Sequence, residues 1–144
     1  MPCMPDLEPV NSRKRPNRIT KMSTQYSINL DSKFNLLELI DVNKLVAACK
    51  DSWYNQTLCK INDSVLRLGV MEKGEFHWHK HDNEDELFYC LEGQFVVEVE
   101  GGPRVELNPN QGFAVPKGVT HRTSVPHRAV VLMIEGADVS PVGD

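Results

Sequence analysis

The feature that most constrains the fold is a succession of short apolar segments separated by turn residues, from residue 57 to residue 138. Gly93 and the pair Gly101-Gly102 are typical hairpin positions, because glycine adopts the backbone angles that tight turns require. Many short strands with regular turns indicate an all-β sandwich or a closed barrel. The pattern predicts strands over residues 57–61, 64–72, 75–81, 86–92, 94–100, 104–107, 112–115, 121–124 and 129–135.

The residues before this region have a different character. Apolar residues between 31 and 50 recur near helical spacing, which predicts a short helical lead-in, with Asp41 or Asn43 as the cap of a second short helix. Residues 1–24 combine four prolines with a basic cluster and lack periodicity, so they are expected to form a disordered tail. This tail is either simply solvated or a localisation or anion-binding signal, and Met22 is a candidate natural start.

The expected organisation therefore has four parts. Residues 1–24 form the basic, proline-rich tail. Residues 25–56 form the helical lead-in, which packs on the barrel or on a dimer partner. Residues 57–138 form the barrel, and residues 139–144 form a C-terminal tail.

Composition narrows the functional classes. The chain has 144 residues, enough for one domain with a substantial core, and its net charge of −4 argues against a nucleic-acid surface. No apolar run approaches the roughly 20 residues of a membrane helix, and the N-terminal residues lack an apolar signal core. The four cysteines follow no paired spacing. We expect reduced thiols in a cytoplasmic protein that binds neither membrane nor nucleic acid.

One short stretch carries the candidate chemistry. His79 and His81 are two residues apart, so on a strand both imidazoles leave the same face. The polar run 82–85 is turn-prone and can reset the register before Glu86. His121 follows a bend that contains Pro116 and Gly118. Three imidazoles and a carboxylate are enough to hold a transition metal.

At these residues the sequence resembles the cupins, small β-barrel proteins with two metal-binding motifs. The first motif is matched by His79, His81, Glu86 and Gly93, and the second by Pro116, Gly118 and His121. There are three departures: Gly74 lies one residue closer than the leading glycine of the first motif, Asn110 replaces the first glycine of the second, and Val125 replaces its asparagine. None of them affects a ligand position, although Val125 removes a polar neighbour of the site. The resemblance covers about residues 60–138 and implies a jelly-roll barrel, a double-stranded β-helix.

The resemblance also implies a function. His79, His81, Glu86 and His121 would hold one divalent transition metal per chain, and Fe, Mn, Ni, Cu, Co and Zn all suit nitrogen and carboxylate ligands. Four protein ligands leave positions open on a metal that accepts six, which favours a functional site over a structural one. The expected activity is that of a dioxygenase, isomerase or lyase acting on a small organic molecule. The alternatives are a non-catalytic module that binds a small molecule or metal, and a barrel that the metal only stabilises.

Four neighbouring residues are weaker candidates. His77 is a candidate proton carrier, additional donor or alternative ligand, or simply a histidine near the barrel mouth. Arg67 either clamps an anionic substrate or lies on a solvated face. Phe88 and Cys90 alternate with Glu86 and should line the same interior, with Cys90 either oxidation-prone or an inert small hydrophobe.

Two predicted strands also bear on assembly. Residues 87–91 and 129–134 are apolar on both faces, whereas a strand with one solvated face should alternate. Their outer face is therefore expected to be covered by the lead-in or by a second subunit, which predicts a homodimer.

Overall fold

The structure is a computed structural model, and it describes residues 26–144. The predicted tail and Met22 lie outside the described residues. In chain order the elements are β1 (Ser27–Asn29), α1 (Val42–Ala48), β2 (Trp53–Ile61), β3 (Ser64–Glu75), β4 (Glu86–Gly93), β5 (Phe95–Val99), β6 (Arg104–Leu107), β7 (Gly112–Val115) and β8 (His121–Gly136). This order confirms the predicted all-β jelly-roll class. No helix in the described range is long and apolar enough to cross a membrane.

Strand β8 joins the two halves of the barrel. Its C-terminal half pairs with β3 on one side and β4 on the other, and β4 continues to β7. Its N-terminal half pairs with β5, which pairs with β6. Strand β3 extends through β2 to β1. The first residue of β8, His121, pairs with Val99 of β5 and makes an isolated bridge to His79.

The predicted strand boundaries need three corrections. Residues 75–81 do not form a strand of their own, because β3 ends at Glu75 and only His79 makes an isolated bridge, to His121. The two strands predicted at 121–124 and 129–135 are one continuous strand, since the chain passes through Pro126 without leaving the sheet. The first barrel strand begins at Trp53 rather than at residue 57.

The helix prediction is right for Val42–Ala48 and wrong for residues 31–41. Asp41 caps α1, because its side chain accepts a hydrogen bond from the Lys44 backbone N–H. Before Asp41 the chain turns repeatedly, and Leu37 has a left-handed backbone with φ of 68°. The near-helical spacing of the leucines here does not reflect a buried helix face, since Leu36, Leu37 and Leu39 are exposed.

Apolar side chains fill the barrel interior and cover part of its outside. The interior cluster includes Phe88, Phe95 and Met133, all buried. A second cluster lies on the outer face, where Leu68 and Val130 are buried under lead-in residues. The lead-in therefore covers the outer face of β3 and β8 and leaves the interior to the candidate site.

Candidate metal centre

Four side chains from three parts of the chain converge inside the barrel. His79 and His81 belong to the irregular segment after β3, Glu86 begins β4, and His121 begins β8. One ligand atom from each lies within 4.8 Å of the others. His81, Glu86 and His121 are at most 6% exposed, and His79 is partly buried. Two backbone hydrogen bonds hold the His79 and His121 segments together. The His79 N–H donates to the His121 carbonyl at 2.9 Å, and the His121 N–H donates to the His79 carbonyl at 2.8 Å.

Hydrogen bonds to main-chain carbonyls orient two of the imidazoles. Nδ1 of His121 lies 2.9 Å from the Val119 carbonyl oxygen, and Nδ1 of His79 lies 2.9 Å from the His77 carbonyl oxygen. With Nδ1–H as the donor in each, Nε2 carries the lone pair and is free to bind a metal. Nδ1 of buried His81 has no hydrogen-bond partner, and its Nε2 lies 3.3 Å from the Glu86 carboxylate. An under-satisfied buried imidazole fits a ring that also binds a cation.

Glu86 is the electrostatic centre of the cluster. Its Oε2 lies 3.1 Å from Nε2 of His121 and 3.3 Å from Nε2 of His81. Burial raises the pKa of Glu86, but the bonds to His121 and His81 outweigh burial and lower that pKa to about 2. The same carboxylate raises the pKa of both imidazoles against the effect of their burial. The site therefore holds a carboxylate that requires a positive charge beside it, either imidazolium or a metal ion.

His79 differs from the other two imidazoles. Burial lowers its pKa to about 4, helped by the neighbouring His121 and His81, and its bond to the His77 carbonyl and the charge of Glu86 compensate only partly. His79 is therefore neutral near pH 7, which is the form that binds metal.

A small cavity adjoins the cluster. Its volume is about 30 Å³, near that of one water molecule. His79, Glu86 and Phe88 line it, together with residues that the sequence analysis did not single out: Asn55, Met71, Phe76, Phe95, Thr123, Met133 and Pro141. Phe88 thus lies where a pocket residue was expected. Cys90 shares the inner face and is fully buried, but it does not line this cavity.

The barrel mouth is crossed by the last residues of the chain. Nε2 of His77 lies 2.6 Å from the Val142 carbonyl oxygen, and the Asp144 N–H donates to the Lys80 carbonyl at 3.0 Å. Gly143 packs so closely on His79 that an added Cβ would lie 2.6 Å from the His79 Cβ. His77 is exposed, and its ring centroid is 5.3 Å from that of His79. His77 therefore belongs to the rim and not to the ligand cluster.

Arg67 lies deep in the barrel and is paired within the protein. Its Nε donates to Asn55 Oδ1 at 2.8 Å and lies 3.3 Å from Glu135 Oε1. Both charged side chains are 2% exposed, so the solvated-face alternative for Arg67 is wrong. Burial raises the pKa of Glu135 to about 8, with the negative charge of Glu86 acting in the same direction.

Glu135 and Asn55 were missed by the sequence analysis. The sequence does carry a signal for Glu135, because it is the one charged residue within the predicted strand 129–135. Asn55 gave no signal, because it lay outside the predicted strands.

Comparison with known proteins agrees with the fold. Residues 67–135 match a family profile described as a cupin domain. The chain is 36% identical over 86 residues to the uncharacterized protein YdbB of Bacillus subtilis (strain 168), a match that covers 60% of this chain and 75% of that protein.

Two crystal structures extend the comparison. A cupin-2 domain containing protein from Shewanella frigidimarina NCIMB 400 is 26% identical with a TM-score of 0.63, covering 68% of this chain and 94% of that one. The DMSP lyase DddQ from Ruegeria pomeroyi DSS-3 is 20% identical with a TM-score of 0.55, covering 62% of this chain and 49% of that one. At 20% identity, the match to the lyase supports a common fold and carries no information about the reaction.

Three observations define the class of protein: the barrel fold, the buried cluster of three histidines and a carboxylate, and the matches described above. The chain belongs to the cupin superfamily. Its buried cluster fits a transition-metal site, because the donors are nitrogen and carboxylate oxygen and lie within 4.8 Å of one another.

Proposed function

We propose that this cupin is a metal-dependent enzyme acting on a small organic molecule, with a reaction of the dioxygenase, isomerase or lyase type. His79, His81, Glu86 and His121 would hold one divalent transition metal, drawn from Fe, Mn, Ni, Cu, Co and Zn. That metal would supply Lewis-acid or redox chemistry when bound. His77, on the rim, is the candidate proton carrier.

The observation that carries the proposal is the convergence of four candidate ligand atoms within 4.8 Å of one another. Four protein ligands leave coordination positions for a substrate, whereas structural zinc sites are usually closed. The cavity lined by His79, Glu86 and Phe88 adjoins these positions. The DMSP lyase named above is an enzyme on this fold, but fold likeness does not transfer a reaction.

The test loads the purified protein with Fe(II), Mn(II), Ni(II) or Zn(II) and screens small organic acids, hydroxy acids and phenols. Oxygen uptake and product formation are followed together. The proposal expects turnover of at least one compound by the loaded protein, no turnover by His121→Ala, and full turnover by His127→Ala. His127 is the matched control because it is an exposed histidine outside the cluster. Metal binding without turnover would contradict an enzymatic function.

One observation favours a second candidate, a non-catalytic module that binds a metal or small molecule. The cavity beside the cluster holds about 30 Å³, far below the roughly 300–1,000 Å³ typical of ligand pockets. Pro141 contributes to its lining, so the C-terminal residues restrict access. A ligand that binds the loaded protein and is recovered unchanged would support this candidate.

The proposal also includes a homodimer and a cytoplasmic location. Three exposed leucines of the lead-in, Leu36, Leu37 and Leu39, support a subunit contact, because clustered exposed apolar residues mark interaction surfaces. Cys49, Cys59 and Cys90 are free thiols, which suits a reducing compartment. Light scattering of wild type and of Leu37→Asp tests the dimer: a mass of two chains that falls to one is expected, and a monomeric wild type would contradict it.

A further inference from the structure

The barrel interior holds a pair of charged side chains in addition to the ligand cluster. Arg67 and Glu135 form a buried ion pair, and neither is assigned to the metal site by the cupin motifs. Leu87 of β4 pairs with Ile134 of β8, so Glu135 follows directly beside Glu86 on the neighbouring strand. The two carboxylates therefore occupy adjacent positions inside the barrel.

The ion pair is built from three strands, with Asn55 on β2, Arg67 on β3 and Glu135 on β8. Arg67 of β3 lies opposite Met133, which puts it diagonally beside Glu135. Its Nε donates to Asn55 of β2 at 2.8 Å and lies 3.3 Å from Glu135 Oε1. Both contacts are made by the same guanidinium nitrogen, so Arg67 links the side chains of Asn55 and Glu135.

The buried interior brings one guanidinium together with two carboxyl groups. Arg67, Glu86 and Glu135 are all at most 6% exposed. Nη2 of Arg67 and Oε2 of Glu135 are buried without hydrogen-bond partners. Burying polar groups without partners is costly, and a divalent cation held by Glu86 would add a positive charge to this interior.

We propose that Glu135, held by Arg67 and Asn55, is a positioning residue for Glu86 and strengthens metal binding at the cluster. Glu135 does not ligate the metal; it lies beside Glu86 on the neighbouring strand and fixes the position of that carboxylate. The inference rests on the proposed metal site. Loss of such an outer partner commonly weakens metal affinity by about 10–100-fold.

The test measures Co²⁺ affinity by competition with a chromophoric chelator, and it records the visible spectrum of the bound Co²⁺. Glu135→Gln keeps the size of the side chain but replaces the carboxyl group that Arg67 contacts, and it should bind Co²⁺ about 10–100-fold more weakly with a shifted spectrum. Glu135→Asp, which keeps a carboxyl group, should bind more tightly than Glu135→Gln. Glu72→Gln is the matched control, because Glu72 pairs with Arg128 at the exposed surface. It should bind Co²⁺ as wild type does.

The outcomes separate this inference from the proposed function. Wild type and Glu135→Gln with equal affinity and spectrum would overturn the inference and leave the metal site standing. Equal weakening by Gln and Asp would assign the effect to packing and would also overturn it. A wild type that binds no Co²⁺ would overturn both.

Arg67→Lys provides an independent check should Glu135→Gln not fold. Lysine keeps the positive charge but lacks the Nε–H that contacts both Asn55 and Glu135. Weaker Co²⁺ binding with a shifted spectrum supports positioning, and unchanged binding overturns it. Near-UV circular dichroism confirms that each variant is folded.

Discussion

Replacing Glu135 with glutamine should change how the stability of the metal-free protein depends on pH. The pKa of Glu135 is about 8 in the folded protein, against an ordinary value of 4.5, chiefly because burial disfavours the charged form. Between these values the unfolded chain has released this proton and the folded protein retains it. Unfolding then releases a proton, so the free energy of unfolding falls as pH rises.

The magnitude follows from the interval between the two pKa values. The difference of 8 − 4.5 is 3.5 units. At about 1.4 kcal/mol per unit, this carboxyl removes about 5 kcal/mol of stability between pH 4.5 and pH 8. Glutamine does not titrate, so Glu135→Gln lacks this decline. The free energy of unfolding of the variant minus that of wild type should therefore rise with pH, by up to about 1.4 kcal/mol per unit.

Urea unfolding with a chelator present, at steps of about one pH unit from about 5 to about 8, measures this difference. Glu72→Gln removes an exposed carboxylate that pairs with Arg128 and is the control for the substitution itself. A difference between Glu135→Gln and wild type that stays constant over the whole range would refute the reasoning, because Glu135 would then have the same pKa in both states.

Three further variants test packing in the barrel and backbone strain in its turns. Phe88→Ala should lower the free energy of unfolding by about 3–5 kcal/mol, because Phe88 is 3% exposed and packs on Phe95 with ring centroids 5.3 Å apart. Urea unfolding measures this loss, and a loss below about 1 kcal/mol would contradict the prediction. Gly93→Ala should cost more than Gly101→Ala, each measured by thermal unfolding. Both glycines have positive φ, but only at Gly93 would the added Cβ meet backbone, 1.9 Å from the Arg128 carbonyl oxygen. Equal losses would show that strain in φ alone decides the cost.

The sequence predicted the barrel well because its signals are local. Turn glycines such as Gly93 and Gly101 have the positive φ that their positions require, and the strands between them follow the period of two. The helix prediction for residues 31–41 is wrong, because leucines near helical spacing do not require a helix when their side chains stay exposed. Leu36 and Leu37 lie in turns, and only the segment that Asp41 caps is helical.

The candidate site could be predicted in part for a similar reason. The ligand candidates lie in compact motifs, so their convergence followed from spacing and from the resemblance. The buried pair could not be derived, because Arg67 and Glu135 are 68 residues apart and meet only through the register of β3 on β8. The strand predicted over residues 75–81 would put His77 on the same face as His79, but β3 ends at Glu75 and His77 lies outside it.

The central claim is that the four-residue cluster binds a metal. Mass-spectrometric metal analysis of protein purified without chelator or histidine tag tests it most directly, with His121→Ala and His127→Ala alongside. The account predicts close to one transition-metal ion per chain in wild type and in His127→Ala, and almost none in His121→Ala. Metal-free wild type, even after reconstitution, or equal metal in His121→Ala, would contradict it.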